Sequence, residues 1–188
     1  PMATFGALDL GGASTQLTFV PSTPVPPSLG GTSVTVGGIL YPLYSVSYLG
    51  YGVDQASLLK NQLLAREFCN DPSRPCKSLV DYCTPNSWIT FTNTPYGARV
   101  RVDGGSNYTL CDRNETAPLF NASKCVSYPI GDVYQPALRG KFYAMSAYYL
   151  PISVWGLKGN ETSIKDIQTA ATRWCSFSMA ELRMLRPD

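Results

Sequence analysis

The first fifty residues alternate short apolar segments with turn-forming residues, a pattern typical of β-strands. Residues 4–10 form an apolar run that ends at a glycine pair, and residues 15–20 alternate apolar and polar positions. The two segments predict a hairpin whose turn is formed by residues 11–14. Two later segments, 33–36 and 44–49, are predicted to extend the same sheet.

A helix is predicted to begin after Gly52. Asp54 lies near its N-terminus, where a negative charge interacts favourably with the helix dipole. Apolar residues recur at the 3.6-residue spacing of one helix face, and they are Ala56, Leu59, Leu63 and Leu64.

Two more helices are predicted in the last quarter of the chain. The aromatic-rich segment 142–150 is predicted to be a helix that ends at Pro151. A last helix begins near Ser163, because Ser163 and Asp166 have the spacing of a capping box. Its predicted apolar stripe consists of Ile164, Ile167, Ala171 and Trp174.

Segment 69–125 has a different composition, rich in Pro, Asn and Cys, with polar strands predicted near 88–93 and 98–102. We interpret it as a disulfide-tied excursion from the main domain. Strands followed by helices indicate an α/β architecture. Periodicity alone does not identify which α/β fold this is.

Composition excludes several classes of protein. The chain of 188 residues is 44% hydrophobic and 15% charged, as expected for one large domain or one lobe of a larger protein. Its net charge of +2 and the lack of a Lys/Arg run give no indication of nucleic-acid binding. The chain contains no histidine, which excludes His-based catalytic triads and His-ligated metals within it.

Cysteines and glycosylation motifs indicate the compartment. None of the six cysteines has the CxxC spacing of a zinc ribbon or a thioredoxin motif. N-x-[ST] sequons occur at Asn107, Asn114, Asn121 and Asn160. Together they favour the extracellular space or the lumen of the secretory pathway, although chance sequons in a cytosolic protein remain an alternative. No apolar run approaches the roughly 20 residues that span a bilayer, and no signal peptide is visible. We therefore expect the complete protein to begin upstream of Pro1.

The turn after the first strand carries the candidate chemistry. A carboxylate at the end of a buried strand, here Asp9, is costly unless it is hydrogen-bonded or faces a cation. Gly11 and Gly12 allow positive φ angles and a close approach of backbone amides to an anion. Hydroxyl groups follow at Ser14 and Thr15. The pattern predicts a metal–phosphate site, and the alternative is a plain hairpin turn in which Asp9 caps backbone amides.

Three segments together resemble one protein family. Residues 7–19, ALDLGGASTQLTF, resemble the fourth signature region of the ecto-nucleoside triphosphate diphosphohydrolases, the GDA1/apyrase family. Residues 48–56, YLGYGVDQA, resemble the strand-to-helix segment of that family. Residues 131–144, GDVYQPALRGKFYA, resemble its later block containing the Gln-Pro pair. The matches occur in the family's order along the chain.

The resemblance implies an α/β fold of the actin/sugar-kinase/heat-shock (ribonuclease H-like) type, with a mixed sheet flanked by helices. That fold has two lobes with the nucleotide between them. Residues 1–188 would be the second lobe, incomplete at both ends, with 69–125 as an excursion within it. The family also implies that Cys175 pairs with a later cysteine, which leaves an odd number in 69–125 and the connectivity open.

The resemblance also assigns roles to residues of the loop. Asp9 would hold Ca²⁺ or Mg²⁺, through water. Ser14 and Gln16 would position the attacking water. The nucleotide would be bound by Gly11, Gly12, Ala13, Ser14 and Tyr134.

Other residues leave questions open. Tyr134 would stack on the base, and ordinary packing is an equal alternative. Val53 and Gly50 depart from residues common in the family, which leaves the nucleobase preference open. The general base, a Glu in the family, would lie upstream of residue 1, so the chain alone is expected to be inactive.

The expected function of the complete protein is metal-dependent hydrolysis of nucleoside tri- and diphosphates, an apyrase activity. Membrane anchoring would depend on segments outside this chain. One alternative is an exopolyphosphatase-type enzyme, which typically has Glu in place of Gln16. Another is an extracellular nucleotide-binding domain without catalysis.

Overall fold

A computed structural model describes residues 4–116, 119, 130, 133–158 and 162–184. In this part the α-helices and β-strands are β1 (Gly6–Leu10), β2 (Ser14–Phe19), β3 (Gly31–Val36), β4 (Ile39–Leu49), α1 (Val53–Phe68), β5 (Ser78–Asp81), β6 (Ile89–Asn93), β7 (Arg99–Gly104), α2 (Tyr108–Leu110), β8 (Phe142–Ser146), α3 (Tyr149–Val154), α4 (Ile164–Trp174) and α5 (Met179–Met184). They belong to two compact units. The first comprises Pro1–Ala56 and Phe120–Pro151, and the second comprises Ser57–Leu119 and Ile152–Asp188.

The first unit contains a five-stranded mixed sheet with the strand order β3-β4-β2-β1-β8. β1 and β2 form the antiparallel hairpin that the sequence predicts, with Asp9 opposite Gln16. β2 pairs antiparallel with β4, and β1 pairs in parallel with β8. The predicted mixed α/β class is therefore confirmed.

One face of this sheet carries the core of the first unit. Leu17, Phe19, Tyr44 and Tyr48 are buried together. The Tyr44 hydroxyl donates a 2.5 Å hydrogen bond to the carbonyl oxygen of Tyr134. Burial, the largest cause, raises the pKa of both Tyr44 and Tyr48 above that of an exposed phenol. Because side chains alternate along a strand, Asp9, Gln16 and Ser47 lie on the opposite face.

The helix predicted over 142–150 is wrong, because residues 142–146 form strand β8. The edge of β1 offers them a parallel partner, and the Phe142 ring contacts the Phe19 ring at a centroid distance of 5.7 Å. Strand pairing and this packing outweigh the local helical pattern. Pro151 does not end a helix either. It lies in the first turn of α3, where a backbone N–H has no intrahelical partner to lose.

The second unit has its own three-stranded sheet, in the order β5-β7-β6. Leu64 and Ala65 of α1 pack on Leu79, Val100 and Val102 in a buried cluster. β6 and β7 correspond to the two strands predicted in segment 69–125. β5, by contrast, was not predicted, because a strand of four residues is too short to show a clear alternating pattern.

The start of α4 agrees with the capping box that the sequence predicts. Ser163 and Asp166 form the predicted capping box at the start of α4, through a 3.1 Å bond from the Asp166 N–H to the Ser163 hydroxyl and a 2.9 Å return bond. The Ser163 hydroxyl, which donates to Oδ2 of Asp166 at 2.6 Å, and then the Ser163 N–H lower the pKa of the Asp166 carboxyl. Ile164 is 83% exposed, so the first residue of the predicted apolar stripe is not part of a core.

In the described part of segment 69–125, two disulfides join Cys69 to Cys76 and Cys83 to Cys111. Sγ of Cys175 lies 4.0 Å from the carbonyl oxygen of Cys83. Cys125 lies outside the described residues. Among the described helices, none is both long enough and apolar enough to cross a bilayer.

Candidate functional site

The turn between β1 and β2 is fixed by the first turn of α1. The carbonyl oxygen of Gly11 accepts the Val53 N–H at 3.0 Å. The carbonyl oxygen of Gly12 accepts the N–H groups of Asp54 at 3.0 Å and Gln55 at 3.2 Å. A helix N-terminus leaves such N–H groups without intrahelical partners. The turn therefore caps α1, and α1 in return orients the turn.

Two further hydrogen bonds hold the turn against the end of β4. The Gly50 N–H donates to the Ala13 carbonyl at 2.9 Å, and the Thr15 hydroxyl donates to the Tyr51 carbonyl at 2.6 Å. Gly50 has a φ of 84°, a conformation that favours glycine. The carbonyl groups of the turn are thus directed into the protein.

The backbone amides of the turn are not equivalent. The Gly11 N–H donates to the Ser14 carbonyl at 2.9 Å and is used within the turn. In the described part of the chain, the N–H groups of Gly12 and Ala13 donate no hydrogen bond, and both residues are exposed. These two amides are therefore available to an anion.

The glycine pair does not use the positive φ angles that the sequence analysis proposed. Neither Gly11 nor Gly12 is among the described residues with positive φ. A Cβ on Gly12 would lie 2.6 Å from Oδ2 of Asp54, so the glycine leaves room for this side chain beside the turn. Asp54 thus places a second carboxylate at the turn. Its sequence position indicated only an interaction with the helix dipole.

Polar side chains form a row across three strands at the same end of the sheet. Asp9 on β1 lies opposite Gln16 on β2, and Gln16 lies opposite Ser47 on β4. The Gln16 side-chain N–H₂ group donates to the Ser14 hydroxyl at 2.6 Å and to the Ser47 hydroxyl at 2.8 Å. The structure therefore brings three of the predicted site residues together, and it adds Ser47, which the sequence analysis did not identify.

Asp9 has the unsatisfied atom that a cation site requires. Its Oδ1 is buried without a hydrogen-bond partner in the described part of the chain. An unsatisfied buried carboxylate oxygen is costly, and a bound Ca²⁺ or Mg²⁺ would remove that cost, because both ions take oxygen ligands. The described residues contain no group of three His, Cys, Asp or Glu side chains that could hold a metal. The residues present fit a cation whose other ligands are water or substrate oxygens.

Tyr134 lies apart from this row. It packs against the buried aromatic cluster, on the face of the sheet opposite to Asp9 and Gln16. The packing that the sequence analysis gave as an alternative is thus present. Its stacking on a nucleobase stays a prediction.

Comparisons with known proteins all indicate one family. The family model of the GDA1/CD39 (nucleoside phosphatase) family matches residues 2–185. The chain is 31% identical to "Probable apyrase 6" of Arabidopsis thaliana, over 100% of the chain and 36% of that protein. It is also 31% identical to "Ectonucleoside triphosphate diphosphohydrolase 1" of Bos taurus, over 96% of the chain and 38% of that protein.

A solved structure shares the fold. The match is to a nucleoside triphosphate hydrolase of Neospora caninum, with a TM-score of 0.56 and 15% sequence identity, over 92% of this chain and 43% of that one. The chain spans less than half the length of these relatives. On the family match and these relatives, the chain belongs to the GDA1/CD39 family of nucleoside phosphatases.

Proposed function

We propose that the complete protein hydrolyses nucleoside tri- and/or diphosphates to lower phosphates and inorganic phosphate. One observation carries the proposal: Oδ1 of Asp9 is buried without a hydrogen-bond partner among the described residues, and β1, which carries Asp9, leads into the Gly12 and Ala13 amides, which donate no hydrogen bond there either. A metal–nucleotide complex presents both a cation and phosphate oxygens. The site therefore offers one group for each part of that substrate.

Each residue of the turn has a separate task in this proposal. The amides of Gly12 and Ala13 donate to phosphate oxygens, where negative charge accumulates during phosphoryl transfer. Ser14 and Gln16 hold the attacking water in line with the terminal phosphate. Because their side chains are already hydrogen-bonded to each other, little freedom is lost when water binds.

Asp9 would hold the cation, Ca²⁺ or Mg²⁺, with water molecules between. When bound, the cation supplies charge neutralisation on the phosphate oxygens. The carboxylate of Asp9 supplies oxygen ligands, which both ions prefer, so Asp9 alone does not select between Ca²⁺ and Mg²⁺.

The activity is proposed for the complete protein. The family's general base is a glutamate, and none of the glutamates of this chain is in a matching context. In the proposed reaction, the base and the other wall of the nucleotide cleft come from the rest of the protein. The chain by itself would bind nucleotide weakly and catalyse little.

The proposed compartment is the cell surface or the secretory lumen. Two disulfides in the described residues support an oxidising environment, because cytosolic proteins rarely keep such bonds. Asn107 is exposed and begins the sequon Asn107-Tyr108-Thr109, so its side chain is accessible to glycosylation.

The test is phosphate release from ATP and ADP by the complete protein, secreted from eukaryotic cells, with Ca²⁺, Mg²⁺ or EDTA. We expect release that needs the cation and falls at least about 100-fold in Asp9→Asn, because a lost electrostatic contact in phosphoryl transfer typically costs this much. Asp103→Asn is the matched control. Asp103 pairs with Arg101 in the second unit and should leave the rate unchanged.

Three results would contradict the proposal. Phosphate release that Asp9→Asn leaves intact would rule out the assigned site. Strong activity on inorganic polyphosphate with none on ADP would support the exopolyphosphatase alternative. Nucleotide binding without turnover would support a binding domain that has lost its chemistry.

A further inference from the structure

Gln16 is held by two hydroxyl groups through one atom. Its Nε2 carries two hydrogens, and they are directed to the Ser14 hydroxyl at 2.6 Å and to the Ser47 hydroxyl at 2.8 Å. Ser47 is the direct cross-strand neighbour of Gln16, since β2 and β4 pair with these two residues in register. The sheet itself therefore sets this contact.

In this arrangement the carbonyl end of the amide faces outward. With both N–H groups used, the carbonyl Oε1 is the part of the amide that remains for another molecule. A water that attacks phosphorus must give up a proton, and only Oε1 can accept a hydrogen bond from it. The reversed amide would present N–H groups, which cannot accept a hydrogen bond from the water.

We infer that Ser47 is a positioning residue that fixes the Gln16 amide with Oε1 toward the attacking water. The inference rests on the proposed function and names a further residue of the same site. Ser47 touches neither phosphate nor cation in this role. It acts through Gln16, because Ser14 alone would hold only one of the two N–H groups.

The neighbouring polar pair provides a control. Ser45 lies two residues before Ser47 on β4, on the same face, and its hydroxyl is 2.8 Å from that of Thr18. Both serines are exposed, so both tolerate alanine equally well by burial. Their hydroxyl groups have different partners, since that of Ser47 bonds to Gln16 and that of Ser45 bonds to Thr18.

The first experiment compares Ser47→Ala, Ser47→Thr and Ser45→Ala in the complete protein, with ADP or ATP as substrate. We expect Ser47→Ala to lower kcat about three- to tenfold with KM unchanged, as for one lost hydrogen bond that matters in the transition state. Ser47→Thr keeps the hydroxyl and should restore most of kcat. Ser45→Ala should match the unmodified protein. An unchanged kcat in Ser47→Ala, or an equal loss in Ser45→Ala, would overturn the inference.

A double-mutant cycle separates action through Gln16 from a general structural effect. In a Gln16→Ala background, Ser47→Ala should lower kcat no further, because the group that Ser47 orients is gone. Additive losses in kcat would show that Ser47 acts by another route and would overturn the inference.

A third measurement does not depend on turnover. In protein labelled with ¹⁵N-glutamine, the side-chain amide signal that disappears in Gln16→Ala identifies Gln16. That signal should shift in Ser47→Ala and stay in place in Ser45→Ala. An unmoved signal overturns the inference even if Asp9→Asn abolishes hydrolysis. A moved signal in a protein that releases no phosphate from either nucleotide would support the contact and reject the proposed function.

Discussion

At the scale of single residues, the site depends on a contact between two glycine-containing segments. A Cβ on Gly52 would lie 2.4 Å from the carbonyl carbon and oxygen of Gly12 and 2.4 Å from the amide nitrogen of Ser14. These are backbone atoms, which cannot rotate away. Gly52 therefore allows α1 to begin directly against the turn that carries the open amides.

We predict that Gly52→Ala lowers the free energy of unfolding by about 1–3 kcal/mol, because the added methyl group forces backbone to shift. It should also reduce phosphate release by the complete protein, since the turn that moves is the one proposed to bind phosphate. Chemical denaturation and the phosphate assay measure the two effects.

Gly12→Ala is the matched comparison for stability. There the added Cβ meets the far end of the Asp54 side chain at 2.6 Å, and this exposed side chain can rotate. We expect a loss below about 1 kcal/mol. Equal losses from both substitutions would show that the contact at Gly52 is not as tight as described.

At the scale of helices and strands, α1 is fixed to β5 by a buried ion pair. Lys60 of α1 and Asp81 of β5 are 7% and 1% exposed and form a direct salt bridge. Asp81 also accepts the Cys83 N–H through Oδ1 at 2.8 Å. Lys60 lies four residues after Ala56 and four before Leu64, on the face predicted to be apolar, but the sequence analysis did not assign a charged residue to that face.

We predict that Lys60→Met destabilises the protein by about 3–5 kcal/mol, because it leaves the Asp81 carboxylate buried without its cation. The double variant Lys60→Met/Asp81→Asn should recover much of this loss. Asparagine has no charge to bury and keeps an oxygen that can accept the Cys83 N–H. Urea unfolding of both variants tests this. A double variant less stable than Lys60→Met would argue that the charge on Asp81 is not the cause.

At the scale of the whole molecule, the two units differ in what stabilises them. The first has an aromatic cluster on one face of its sheet. The second combines a smaller apolar cluster with the two disulfides. A disulfide such as Cys83–Cys111, which closes a segment of 28 residues, contributes about 2–4 kcal/mol.

We therefore predict that reduction affects the units unequally. After mild reduction, hydrogen exchange should increase in peptides of β5, β6 and β7 and stay nearly constant in β1, β2 and β4. The double variant Cys83→Ser/Cys111→Ser should show the same increase in hydrogen exchange without reduction. Reduction should then change its hydrogen exchange less than that of the unmodified protein. Equal increases in hydrogen exchange in both units would contradict this prediction.

The sequence by itself determined what depends on nearby residues. The hairpin of β1 and β2, the start of α1 and the capping box at Ser163 were all predicted, because alternation, helical spacing and caps act over a few residues. The resemblance of residues 7–19, 48–56 and 131–144 to segments of the GDA1/apyrase family also pointed to that family, which the family match confirmed.

Only the tertiary structure decided which distant segments meet. Residues 142–146 became a strand because β1 had an edge to offer, and no local pattern contains that information. Sheet register placed Ser47 against Gln16, and packing brought the Asp54 carboxylate over Gly12. Burial without a partner, as for Oδ1 of Asp9, likewise depends on everything that surrounds an atom. These contacts arise from pairing and packing between residues far apart in the chain, whose partners the local sequence does not specify.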